Sequence, residues 1–212
     1  LIYEKYLGEI KNQNKFKVFD SSSGWGGRLL GSLCSQKKIH YIGTDVNTEN
    51  RGCYERLGEF YNTNCNGSNT YEIYYDGSEV ISKNKKFQKH KGDIDLIFTS
   101  PPYFNREVYS TDPEQSCIKY SIYQNWLDSF LDKTFQTYYE YLKPNRYCII
   151  NIADLKNSEK NFFPLEQDTI SVAIKNGFSF EGKIGMTMTR MVGLNPTDTK
   201  NYWFDMKSKT TF

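Results

Sequence analysis

Four short apolar runs in this chain each end in residues capable of polar chemistry, and that repetition constrains the fold more than any other feature. Phe16-Lys17-Val18-Phe19 ends in Asp20, and Ile39-His40-Tyr41-Ile42-Gly43-Thr44 ends in Asp45. Tyr71-Glu72-Ile73-Tyr74-Tyr75 ends in Asp76, and Ile94-Asp95-Leu96-Ile97-Phe98 ends in Thr99-Ser100. Short runs rich in β-branched and aromatic residues, separated by helical patterns, read as strands of an α/β sheet. Open α/β sheets bind ligands outside the carboxyl ends of their strands. The pattern therefore predicts a site assembled from four strand ends.

The first of these ends continues as Ser21-Ser22-Ser23-Gly24-Trp25-Gly26-Gly27-Arg28, followed by a helical pattern of Leu29, Leu30 and Leu33. Strand, glycine turn and helix bring backbone close to a nucleotide-like ligand, and Gly24, Gly26 and Gly27 remove Cβ where it must approach. The spacing is not Gly-x-Gly-x-x-Gly. No Gly-Lys-Ser/Thr is present, so phosphate-cradling chemistry is not indicated. Asp45 lies 21 residues beyond Gly24, where an acidic side chain accepts from both ribose hydroxyls. Asp76 is placed to accept from the 6-amino group of an adenine. Taken singly, each of these Asp residues reads equally well as a helix N-cap.

The fourth end reads Thr99-Ser100-Pro101-Pro102-Tyr103. Two prolines lack N–H groups and fix φ near −65°, so they stop the strand and stiffen the turn. A hydroxyl, a fixed carbonyl and an aromatic face suit a planar ring carrying an exocyclic amine; the plain alternative is a turn with an aromatic plug. Ser-Pro-Pro-Tyr resembles the (Asp/Asn/Ser)-Pro-Pro-(Tyr/Phe/Trp) motif of the S-adenosylmethionine-dependent amino-methyltransferases of DNA, which modify cytosine N4 or adenine N6. The resemblance covers roughly residues 16 to 190. It implies an α/β, Rossmann-like class I methyltransferase fold, with a central, mostly parallel sheet and helices on both faces.

Carried onto this chain, the resemblance implies that Phe19, Asp20, Ser21, Ser22, Gly24, Trp25, Gly26 and Gly27 form the methionine-binding loop for S-adenosylmethionine. Asp45 and Val46 would lie at the ribose, Asp76 and Gly77 at the adenine, and Thr99, just before the catalytic segment, would also bind the cofactor. Ser100, Pro101, Pro102 and Tyr103 would be catalytic. A flipped base would stack on Tyr103, with Phe104 extending the platform. Arg106, Lys156 and Arg190 would be substrate-binding, and Arg28 and Lys160 are further cations near strand ends. Ser in the first motif position favours cytosine N4 over adenine N6. RNA or protein-amide N-methylation, and a cofactor-binding pseudoenzyme subunit, are the alternatives. A restriction–modification role suits the DNA enzyme.

With 212 residues, one catalytic domain is expected over 1–212. The chain begins at Leu1 and shows no evident last strand, so a fragment lacking upstream and downstream segments is expected. Recognition would then come from 104–121 (a lid or base-contacting loop), from the tail, or from a specificity subunit or further domain. A net charge of +2 is not that of a general polycation, so DNA requires a local patch. The run Lys83, Lys85, Lys86, Lys89, His90 and Lys91 reads as a solvated loop at the N-terminal edge of the sheet, away from the site. Five scattered Cys without Cys-x-x-Cys, and only two His, suggest no metal site. Reduced cysteines suit a cytoplasmic setting. No apolar run reaches membrane-spanning length and no signal peptide is visible.

Elsewhere, helices are predicted at 48–62, 123–142 and 164–176, the last stopped by Gly177. Pro144-Asn145 reads as a break, and a fifth strand at 146–152 as ending at Ala153-Asp154. Residues 178–182 and 185–191 read as a final strand pair, and 193–212 as loop or tail.

Overall fold

In the computed structural model, which describes residues 2–65, 67–106, 112–156, 162–187 and 203–207, the chain begins with α1 (Ile2–Gly8), whose Tyr3, Tyr6 and Leu7 are buried. It continues through β1 (Phe16–Asp20), α2 (Gly27–Leu33), β2 (Ile39–Thr44), α3 (Arg51–Asn64), β3 (Thr70–Tyr74) and β4 (Ile94–Thr99). A short α4 (Ser116–Lys119) precedes α5 (Tyr123–Trp126) and α6 (Asp132–Tyr141), which are joined by a π-helical stretch, Leu127–Leu131. Then come β5 (Leu142–Asn151), β6 (Leu155–Lys156), β7 (Phe162–Phe163), α7 (Leu165–Lys175), β8 (Lys183–Thr187) and β9 (Trp203–Lys207).

Seven strands form one sheet in the order β3-β2-β1-β4-β5-β9-β8. The first five are mutually parallel. Strand β9 runs antiparallel to both β5 and β8, and β6 and β7 form a separate small ladder. Central β1 and β4 are buried on both faces, which is why they read as nearly continuous apolar runs. One face packs Val18, Leu96 and Ile149 against Leu7, Leu29, Leu33 and Tyr54 of α1, α2 and α3. The other packs Phe19, Ile97 and Ile150 against Phe87, Trp126, Phe135 and Tyr138. This is the central, mostly parallel sheet with helices on both faces that the resemblance implied.

Connections leave β1 toward β2 and, after β3, cross back to β4. The loops following β1 and β4 therefore diverge, and a crevice opens between them at this topological switch point.

Three expectations change. Strand β5 begins at Leu142 rather than 146: Ile94 pairs with Leu142 and Leu96 with Tyr147, so five steps on β5 face two on β4. The predicted Pro144-Asn145 break is this bulge, with Asn145 at φ 57°. Strand β8 pairs not with 178–182 but with β9, which the composition of the tail disguised as loop. Phe104 has φ 50° and is 3% exposed. Its ring packs on Tyr123, Trp126 and Phe163, so it is a core residue and does not extend the Tyr103 platform.

Candidate active site

Beneath the glycine turn, β1 ends in a fully buried carboxylate, Asp20. Its Oδ2 accepts from Arg28 Nε (2.7 Å) and Tyr41 OH (2.6 Å), and its Oδ1 from Thr99 Oγ1 (2.8 Å) and the Ser22 N–H (3.2 Å). One side chain thus joins β1, β2, β4 and α2. Burial alone would lower the Arg28 pKa, but the adjacent Asp20 carboxylate outweighs it and holds the guanidinium charged. Asp20, Phe19 and Thr99 do not reach the cavity wall. Asp20 and Thr99 form the support under the loop, and the Phe19 ring packs on Phe87 in the core.

The loop above is held at both sides of Gly24. Its N–H donates to Asp45 Oδ2 (2.7 Å), and its carbonyl accepts from Asn50 Nδ2 (3.1 Å) and Tyr54 OH (2.6 Å). Gly24 and Gly26 sit at φ 53° and 82°, where side chains are strained. A Cβ at Gly26 would also lie 2.8 Å from Leu57 Cδ1, so this glycine serves packing behind the cavity rather than its wall. Trp25, between them, is 73% exposed on the cavity rim.

Asp45 follows β2, and its Oδ1 accepts from the Asn47 N–H (2.9 Å). Burial raises its pKa, partly offset by the Asn47 and Gly24 N–H groups. Asp76 follows β3, and its Oδ2 accepts from Asn84 Nδ2 (2.7 Å). No residue of the lysine run lines the cavity, so the run stands apart from it as expected, although Asn84 within that segment holds Asp76. His90, however, is 2% exposed rather than solvated.

At the end of β4, the Ser100 hydroxyl donates to the Asn151 carbonyl (3.1 Å), and Tyr103 OH donates to the same oxygen (3.3 Å). Arg106 N–H closes the turn onto the Tyr103 carbonyl (3.1 Å).

These strand ends surround a cavity of about 600 Å³, within the range of small-molecule and cofactor sites. Among the residues expected at the site, Ser21, Ser22, Gly24, Trp25 and Gly27 line it from the loop. Asp45, Val46, Asp76 and Gly77 line it from β2 and β3, and Ser100 to Tyr103 and Arg106 from β4. Lys156 does not; it lies over the Phe162 ring, 5.9 Å from its centroid. Arg190 and Lys160 lie outside the described residues.

Several wall residues escaped the sequence reading. Glu79 is buried and accepts from Lys119 Nζ (3.2 Å) and Tyr120 OH (3.3 Å), tying the far wall to the end of β3. Phe130, from the π-helical stretch, also lines the cavity. Asn151 was detectable by the rule that found the other four ends: it is the polar residue that terminates Cys148-Ile149-Ile150.

No family model and no curated protein sequence matches the chain. Solved structures do. An S-adenosylmethionine-dependent methyltransferase from Methanosarcina mazei superposes with a TM-score of 0.58 at 13% identity, covering 100% of this chain and 97% of its own. The small RNA methyltransferase HEN1 gives 0.59 at 13%, over 98% of this chain and 25% of its own. The cyclopropane synthase MmaA2 from Mycobacterium tuberculosis gives 0.54 at 10%, over 87% of this chain and 62% of its own. The chain has the fold of the S-adenosylmethionine-dependent methyltransferases. No helix among the described residues is long and apolar enough to cross a membrane.

Proposed function

We propose that this chain methylates an exocyclic amine of a nucleic-acid base, cytosine N4 ahead of adenine N6, using S-adenosylmethionine. The donor set of the cavity fits that cofactor. Asp45 spends one lone pair of Oδ2 on Gly24 and one of Oδ1 on Asn47, leaving acceptors for a ribose diol. Asp76 offers an acceptor for an adenine amine, and the charged Arg28 faces the loop where a carboxylate would lie. When bound, the cofactor supplies an activated methyl on a sulfonium.

The observation that carries the reading is the hydrogen bond from Ser100 Oγ to the Asn151 carbonyl. Because the hydroxyl proton is committed there, Ser100 meets an incoming group as an acceptor. Together with the Pro101 carbonyl it can accept both N–H groups of an aromatic amine. That turns the nitrogen lone pair out of conjugation and fixes it for in-line attack. Tyr103, tethered through its own hydroxyl, offers its ring for stacking. The methylated amine is a strong acid until it loses its proton, so a serine suffices where a basic carboxylate might be expected.

The test is transfer of labelled methyl from S-adenosylmethionine to mixed genomic DNA, and in parallel to RNA, followed by nucleoside mass analysis. N4-methylcytosine in DNA is the expected product. N6-methyladenine would retain the reaction and change the base. No modified nucleoside, with the cofactor still bound, would overturn the nucleic-acid reading.

A further inference from the structure

The lysine run that follows Asp76 forms one side of a second, open groove on the free edge of the sheet. Strand β3 ends the strand order, so its outer edge has no neighbouring strand among the described residues. The groove encloses about 500 Å³ between Glu72 to Tyr75 and the segment carrying Asn84, Lys85, Lys86 and Lys89. It is a fixed surface. Phe87 is fully buried, Tyr74 OH donates to the Lys86 carbonyl (3.2 Å), and the Lys86 N–H donates to Asn84 Oδ1 (2.9 Å).

The groove's one carboxylate is already saturated. Glu72 Oε1 meets His40 Nε2 and His90 Nε2, and Oε2 meets Lys89 Nζ and Tyr74 OH, each at 2.8 Å. Burial alone would raise its pKa, but these donors together hold it well below the usual carboxylate range. Lys85 and Lys86 are exposed, and neither has an ion pair among the described residues. Arg51 adds a further cation 4.6 Å from the Tyr75 ring centroid. The groove lining thus sets three lysines against one carboxylate, beside the rings of Tyr74 and Tyr75.

We propose that this groove is a track for the phosphodiester backbone of the nucleic-acid substrate, with Lys85 and Lys86 as its phosphate contacts. The proposal rests on the nucleic-acid reading above and adds where the polymer outside the target nucleotide is held. Strand spacing supports the reach. The catalytic turn on β4 is three strand steps from β3, roughly 15 Å across the sheet. That is about four to five base pairs of duplex at 3.4 Å per step, so a polymer seated on the turn spans the distance and a di- or trinucleotide does not. The two are neighbours: Asn84 of the groove wall donates to Asp76 of the cavity wall. Lysines on an open strand edge have another use, blocking edge-to-edge pairing, and the test separates the two.

The experiment measures binding of a fluorescent 24-base-pair duplex by the full chain across a salt series, for the wild type, Lys85→Ala/Lys86→Ala and Lys85→Arg/Lys86→Arg. The expected result is weaker binding by the Ala pair, with a log–log salt slope shallower by about two. The Arg pair should restore both. Methyl transfer to a dinucleotide should be unchanged in the Ala pair, while transfer to the duplex falls. Equal duplex affinity and slope in all three proteins would overturn the track, as would self-association of the Ala pair without loss of DNA binding, which is the edge-blocking outcome. Loss confined to anionic vesicles would also overturn it. Lysine-dependent binding without any methyl transfer would remove the proposed function and leave the groove standing.

Discussion

The two halves of the cavity are built by different means. The glycine-loop half rests on a buried carboxylate with four donors, and tyrosine hydroxyls reinforce it: Tyr41 on Asp20, Tyr54 on the Gly24 carbonyl and Tyr138 on Ser21. The Ser100–Tyr103 turn itself carries no charged side chain. Two prolines stiffen it covalently, and its two side-chain hydroxyls share one carbonyl, that of Asn151. One half is rigid because disturbing it would strand an ion, the other because its backbone has few conformations to lose. Damage to the first should therefore appear as lost stability, and damage to the second as lost turnover with the fold intact.

The largest effect tests that contrast directly. Asp20→Ala leaves Arg28 partly buried without its counter-ion and frees Tyr41 and Thr99. Unfolding free energy should fall by about 3–5 kcal/mol, read as a lower urea midpoint. A midpoint like that of the wild type would mean that the hub does not hold the loop. Asp45→Ala should weaken cofactor binding by about 1.5–3 kcal/mol, roughly 10- to 150-fold, by calorimetry. Full retention of affinity would remove Asp45 from the ribose position. Ser100→Ala should leave both the urea midpoint and cofactor affinity unchanged while single-turnover methyl transfer slows about tenfold. An equal loss of stability would erase the distinction between the halves.

The smallest effect is one of pH. Because burial raises the Asp45 pKa, its protonated form is favoured in the folded protein. Its contribution to folding stability therefore declines as pH rises from the ordinary carboxylate value through the raised one. Cofactor binding by the ionised form runs the other way. Affinity should begin to fall on acidification at a higher pH than an unperturbed Asp would give, and Asp45→Asn should flatten that profile.

The strands were legible where burial was complete. Strands β1 and β2 match their predicted limits, and α7 ends before Gly177 as expected, because local pattern and tertiary setting agree there. The site residues at the strand ends were legible for the same reason. Less legible was anything decided by distant partners. A carboxylate after a strand can face solvent or core, and only Arg28, Tyr41 and Thr99, brought together by folding, draw Asp20 inward. Phe104 looked like a neighbour of Tyr103, but a positive φ turns its ring into the core. His90 read as part of a solvated run, but Glu72, distant in sequence, holds it in the interior.

The tether of the Ser100–Tyr103 turn has a consequence for how this protein can change over evolutionary time. Ser100 and Tyr103 both donate to a main-chain oxygen, and every residue type carries one. Substitution at position 151 therefore need not cost the contact, provided that β5 keeps its pairing of Ile150 opposite Thr99. Among diverged sequences this anchor could persist beneath a variable column, preserved by strand alignment rather than by letter. A search for invariant side chains would pass over it.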